Sequence, residues 1–306
     1  MKKEFSETKA EWLEIPVFIH GIIPTLKPEK HDEEYGFLLK LINNALVDQD
    51  KLPFTESPLT IEWGWESGES KENDRFLAQA EINVASGVAH EVKRTWDWTL
   101  NPLRMLHNRL RKNFLLGFAD MFYYVSADGK KAVRNNVFNH LSKEIANRRK
   151  ANEKISLTFI THSAGTVIAH DFLFHLFRKK QPSEFKKVND IRKLVQKGDL
   201  RIRKFYTMGS PITPIILRSD SLLLKIVKKK KIDIESLGLI QHQGIKNPRW
   251  INFWDRDDII SYPVSFLYQH HGEIVDKYLD LGDTFPAAHN LYWRSKKVAQ
   301  EIARTL

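Results

Sequence analysis

The chain has 306 residues, 42% of them apolar, and no cysteine; that leaves room for one large α/β domain or two small ones with a sizeable core, and excludes disulfides, thiolate catalysis and cysteine-held metals. The formal net charge is +10, unevenly spread: residues 1–100 carry 11 Lys/Arg against 19 Asp/Glu, and the remainder carries 37 against 19. Such asymmetry marks a surface that meets an anionic partner, membrane or nucleic acid, or else solvated helix faces; the second is the simpler reading, because net charge governs solubility and steering rather than fold.

Residues 1–14 read as a polar lead-in without the apolar run of a signal peptide. No stretch approaches the length of a membrane span, so the expected setting is cytoplasmic. Ile15 to His20 reads as a strand, with Pro16 near its beginning, where a missing N–H is tolerated. Gly21 to Pro24 is a turn whose glycine lets the chain bend back. Phe37, Leu38, Leu41, Ile42, Ala45 and Leu46 form one apolar stripe and predict a helix over 35–46. Leu59 to Trp65 reads as the next strand. Residues 66–124 read as an insertion. In it Trp96 and Trp98 either line an acyl pocket or fill a gap under a loop. A basic amphipathic stretch over 103–124 either lies on a membrane or serves as a core helix with a basic outer face. Val133, Val137, Leu141 and Ile145 predict a helix over 130–150.

The most informative stretch follows. Ile155, Leu157, Phe159 and Ile160 make a short buried strand. The chain then turns at Thr161-His162-Ser163-Ala164-Gly165, and Val167, Ile168, Phe172 and Leu173 return at helical spacing. Strand, tight turn and helix around a serine is the setting of a nucleophile elbow, where a strained turn exposes the hydroxyl at the end of the sheet. The second neighbours of the serine must be small; Gly165 is, while Thr161 departs from the commoner glycine. The plainer alternative is a serine that caps the helix.

Pro182 stops that helix, and residues 183–200 read as a polar excursion at the sheet rim. They open a second insertion, over 183–247, interrupted by a strand at Ile202 to Met208 and the turn Gly209-Ser210-Pro211. Lys228 to Lys231, without interleaved aromatics, are poor material for base stacking, and no nucleic-acid role is expected. Arg249 to Trp254 is a strong strand that ends at Asp255, Asp257 and Asp258. Residues 273–281 read as the last strand, and the segment at His289 leads into a terminal helix through Val298 and Ile302. Strands alternating with helices imply an α/β fold: one doubly wound, mostly parallel sheet with insertions.

Acyl transfer by serine needs a base for the hydroxyl proton, an acid that orients the base, and donors for the oxyanion. His289, after the last strand, suits the base, and Asp258 or Asp257 the acid. Ser163, acid, His289 is the chain order of a serine triad on an α/β sheet. His162 reads as a packing residue whose side chain points away from Ser163. His270, His271 and the cluster His31-Asp32-Glu33-Glu34 lack metal-ligand spacing and read as surface residues. No metal or other cofactor is expected.

On these residues the chain resembles an α/β-hydrolase of the lipase/esterase kind. The likeness runs from Phe18-Ile19-His20-Gly21 through Thr161 to Gly165 and Gly209-Ser210-Pro211 to Asp258 and His289-Asn290-Leu291-Tyr292-Trp293. It is most similar to bacterial hydrolases of undefined substrate. It is more distantly similar to DDHD-type phospholipases, whose Asp-Pro-Val-Ala-Tyr pattern is echoed by Asp258 to Tyr262. That echo implies Asp258 as the acid; a looser pattern, aspartate with hydrophobics two and three residues on, would favour Asp257. The resemblance also implies an oxyanion hole from the backbone N–H groups of Ile22 and Ala164. The function expected is hydrolysis of a carboxylic ester, lipid or acyl. The rival is a non-catalytic chain of the same fold that binds an anionic membrane surface.

Overall fold

The computed structural model describes residues 12–21, 29–61, 127–149, 153–178, 183–217, 232–239, 245–246, 248–269, 272–283 and 287–306. The expected insertion over 66–124, the lysine run 228–231, the pair His270-His271 and Ile22 lie outside them. In chain order the elements are β1 (Trp12–Ile19), α1 (Glu29–Val47), β2 (Leu59–Ile61), α2 (Ala127–Arg148), β3 (Lys154–His162), α3 (Ala164–Phe177), α4 (Lys186–Gln196), β4 (Leu200–Met208), α5 (Ile212–Leu217), β5 (Ile232–Asp233), β6 (Trp250–Trp254), β7 (Tyr268–Gln269), β8 (Ile274–Tyr278), α6 (Ala287–Leu291) and α7 (Lys296–Thr305). Six strands form one sheet in the order β2-β1-β3-β4-β6-β8, every neighbouring pair parallel. β5 and β7 pair separately. The fold is α/β.

A parallel sheet must be covered on both faces, and the two-residue period of the strands supplies two cores. Ile15, Val17 and Ile19 of β1 and Ile155, Leu157 and Phe159 of β3 join the apolar stripes of α2, α3 and α4. Phe18, Ile160, Tyr206, Met208, Ile251 and Phe253 point the other way, onto α1 and α7. Ser295 caps α7, its hydroxyl accepting from Val298 N at 3.3 Å. At the other end of that helix Lys51 Nζ donates to the carbonyls of Ala303 (2.7 Å) and Arg304 (3.1 Å), where the helix dipole favours a cation.

Two stretches differ from the sequence reading. β1 begins at Trp12, inside what the composition marks as a lead-in. Its polar start is covered, because the Arg201 guanidinium lies 3.9 Å from the Trp12 ring centroid and Glu14 pairs with Arg201 and Arg203. Residues 186–196, read as part of a rim excursion, form α4, which buries Val188 and Ile191 against the sheet-side core. One narrow apolar stripe on a three-turn helix leaves the composition polar.

β4 carries an extra residue. Its register against β3 jumps from Leu157↔Ile202 to Thr158↔Lys204, so Arg203 bulges out of the ladder. The fully buried Arg249 fills the gap by donating to the carbonyls of Ile202 and Arg203. The bulge flips the face of all that follows, which puts Lys204 on the α1–α7 side. There it is 1% exposed and Nζ donates to the carbonyls of Lys246 (2.8 Å) and Pro248 (2.6 Å).

The strand order sets where a site belongs. From β1 the chain moves outward to β2, then crosses back to β3 on the other side of β1. Connections diverge between β1 and β3, leaving a crevice at their carboxyl ends, where α/β sheets take ligands. His20-Gly21 and His162-Ser163 sit at those two ends. Among the described residues no helix is long and apolar enough to cross a membrane.

Candidate active site

Ser163 follows the last residue of β3 and precedes α3. Its backbone is at φ 52°, ψ −131°, a left-handed conformation costly for a side chain with a Cβ. Three bonds hold it there. Ser163 N donates to Met208 O at 2.9 Å, and the Ser163 carbonyl accepts from Thr166 N (3.0 Å) and from the Thr166 hydroxyl (2.7 Å). Thr166 Oγ1 also meets the Ser210 hydroxyl at 2.8 Å, tying the turn to the segment after β4. The Ser163 side chain makes no cap bond to α3, so its position does not come from helix capping. The turn needs its small neighbours. A Cβ on Gly165 would collide with the His20 carbonyl, and one on Gly21 would stand 2.9 Å from Ser163 Oγ. The ends of β1 and β3 are therefore in van der Waals contact at the serine.

His289 lies in α6. Its Nδ1 is 2.8 Å from Asp258 Oδ2, and the Asp258 carboxylate is fully buried. A carboxylate only accepts, so Nδ1 carries a proton and donates it to Asp258. The other Asp258 oxygen accepts from Ile260 N at 3.1 Å. Asp257 is placed differently: its side chain is 45% exposed and lies beside Arg256. Asp255 is buried and structural, accepting from Asp257 N (3.0 Å) and Leu281 N (2.8 Å). The loop that follows is pinned by Asp276, whose carboxylate accepts from Val264 N, Ser265 N and Asn252 Nδ2.

Ser163 and His289 share their immediate neighbours. Gly209 follows the residue whose carbonyl holds Ser163 N, and a Cβ on Gly209 would stand 3.0 Å from the Cε1 and Nδ1 atoms of His289 and from Asp258 Oδ2. On the other side the His162 ring centroid is 4.6 Å from that of His289. His162 Nε2 donates to the His289 carbonyl at 2.6 Å. Burial, and secondarily the His289 ring, holds the His162 pKa well below the ordinary histidine value.

A second histidine pair stands at the end of β1. His31, read from the sequence as a surface residue in an acidic cluster, is buried and stacks on His20 with centroids 3.8 Å apart and planes 10° from parallel. His20 Nδ1 donates to the Gly21 carbonyl. Burial lowers the His20 pKa to about 3 and that of His31 to about 4, so both rings are neutral at pH 7. The sequence hides this because α1 starts at Glu29, earlier than its apolar stripe. That first turn carries His31 under the strand end.

For the oxyanion, Ala164 is the first residue of α3, so its N–H has no acceptor within the helix and points with the positive end of the dipole. The second expected donor, Ile22, lies outside the described residues. Among the described residues no group of three or more His, Cys, Asp and Glu is arranged to hold a metal. Chemically, the arrangement offers a strained hydroxyl, an imidazole oriented by a buried carboxylate, and a helix N-terminus. Comparison with models of known families, with characterised proteins and with solved structures gives no match.

Thr166, Gly209 and Tyr292 also belong to the site. Tyr292 is buried, its hydroxyl 3.3 Å from the Ser261 hydroxyl, and burial followed by Asp258 raises its pKa. Gly209 has a sequence signal, a glycine directly after a buried strand. Tyr292 lies in the stretch after His289 that carries the resemblance, while Thr166 has no signal, since threonine in a first helical turn is ordinary.

Proposed function

We propose that the chain is a serine hydrolase of the α/β-hydrolase kind that cleaves carboxylic esters of lipid or other acyl type. What supports this is the buried Asp258–His289 pair, together with a serine held at positive φ whose neighbours, His162 and Gly209, also flank that pair. In the mechanism His289 Nε2 takes the Ser163 proton as Oγ attacks the acyl carbon. Asp258 keeps the imidazole in the Nδ1–H tautomer and stabilises the imidazolium. The Ala164 amide, with that of Ile22, holds the oxyanion. The imidazolium returns its proton to the leaving alkoxide. Water, deprotonated by the same base, then releases the acid and frees Ser163. A cytoplasmic setting is part of the proposal.

Backbone strain and a desolvated carboxylate are costs that a binding protein has no reason to keep, which weighs against the non-catalytic, membrane-binding alternative. The test is labelling by a fluorophosphonate, followed by turnover on acyl esters of graded chain length. The wild type should label at one residue and hydrolyse at least one ester, and Ser163→Ala should do neither. Equal labelling of both proteins would sink the reading.

A further inference from the structure

The segment that carries His289 is placed by tertiary contacts. α6 has five residues, too few to be stable as a helix alone, and Ala288, Tyr292 and Trp293 on and after it are buried. Its anchor to Asp258 fixes the ring at Nδ1. A second bond holds the main chain of the same residue. His162 Nε2 donates to the His289 carbonyl at 2.6 Å, from the residue immediately before Ser163. The His162 ring is itself immobilised: 4% exposed, with Trp293 edge-on at 5.5 Å and Tyr292 at 5.8 Å between centroids.

We infer that His162 is a positioning residue, and that its Nε2–H bond to the His289 carbonyl sets the distance between nucleophile and base. The inference rests on the reading of Ser163 and His289 given above. Through this bond the last residue of β3, next to the serine, grips the backbone of the base directly. The chemistry of the pair fits. A carbonyl only accepts, so the bond requires the Nε2–H tautomer. A neutral ring also avoids placing a second positive charge 4.6 Å from His289 when that imidazole is protonated during turnover. The groups facing His162 are the rings of His289, Tyr292 and Trp293, with His20 and His31 close enough to act on it electrostatically. Among these described residues none is a carboxylate.

Two substitutions separate the bond from the ring. His162→Phe keeps a planar ring and removes the donor. His162→Gln places an amide N–H where Nε2 was. The Phe variant should lose kcat about 100-fold, the scale of a misplacement of about 1 Å, with KM little changed. Fluorophosphonate labelling of Ser163 should slow in parallel, and Gln should recover most of both losses. Wild-type rates in the Phe variant, or equal losses in Phe and Gln, would overturn the inference. The wild type gives an independent reading that needs no variant to fold. Nitrogen-15 histidine spectra should show His162 neutral and Nε2-protonated from pH 5 to 8; an Nδ1–H tautomer or a midpoint near 6.5 would overturn it. If the wild type neither labels nor turns over any ester, the serine-hydrolase reading itself fails, and the inference falls with it.

Discussion

Two aspartates stand side by side after β6, and only Asp258 reaches the imidazole. The turn decides between them. Asp258 N and Ser261 N make backbone bonds to the carbonyls of Asp255 and Asp258, and this winding sends the 258 side chain inward and the 257 side chain out beside Arg256. Asp258→Asn should therefore lower kcat/KM about 10³- to 10⁴-fold, because an amide favours the wrong imidazole tautomer. Asp257→Asn should stay within about twofold, as befits an exposed ion pair. Steady-state kinetics on the two variants checks this, and a large loss at 257 with none at 258 would reverse the assignment. Local pattern narrows the acid to these neighbours without choosing, since both suit a polar turn; the family resemblance leans to Asp258. Ser163 is more legible because strand, turn and helix are contiguous there. His31 is the opposite case: its burial depends on where α1 lands against β1, which no local pattern records.

At the scale of the element, the turn after β4 is crowded by the acid and the base. Gly209 has φ 57° and a Cβ there would press within 3.0 Å of both Asp258 and His289. Gly198, in the turn before β4, has φ 71° and open space around it. The two glycines thus separate backbone strain from crowding. Gly198→Ala should cost about 1 kcal/mol of stability, the left-handed penalty alone, and leave activity intact. Gly209→Ala should cost about 2–3 kcal/mol more through overpacking and depress kcat by displacing the acid and base. Urea unfolding with parallel turnover measures both; equal stability losses would mean that crowding at Gly209 is relieved elsewhere. The elements themselves are largely readable from apolar period, and the misses have local causes. α4 hides its stripe in polar composition, and β1 opens with residues whose partners lie on β4. The β4 bulge leaves the apolar pattern readable as a strand while changing its phase, which is how Lys204 comes to be buried.

At the scale of the whole molecule, the fold encloses neutral histidines. His20, His31, His162 and His175 all have pKa values lowered chiefly by burial, to about 3 for His20 and about 4 for His31 and His175. In the unfolded chain these rings titrate near 6.5. Between that value and the folded ones the unfolded chain binds more protons, so stability is fully present above pH 6.5 and drains away as pH falls toward 4 and below. For His20 alone the loss at pH 5 is on the order of 2 kcal/mol. Lys204 acts in the same direction over a higher window. Burial lowers its pKa to about 7, so stability rises as pH climbs from 7 toward the unfolded value of 10.5. Urea midpoints should therefore increase from pH 5 to pH 8, and His20→Phe should flatten the acid limb; a midpoint independent of pH between 5 and 7 would contradict the burial of these rings.

The sequence by itself determined the α/β class, the serine turn and the chain order of the three candidate residues, because each is written in local period or in order along the chain. Only the tertiary structure decided that Asp258 rather than Asp257 meets His289. It alone brought His162 onto the base segment, His31 under the end of β1 and Arg249 into the β4 bulge. Those are contacts between elements distant in sequence, and they are set by sheet order and register, which no window of residues encodes.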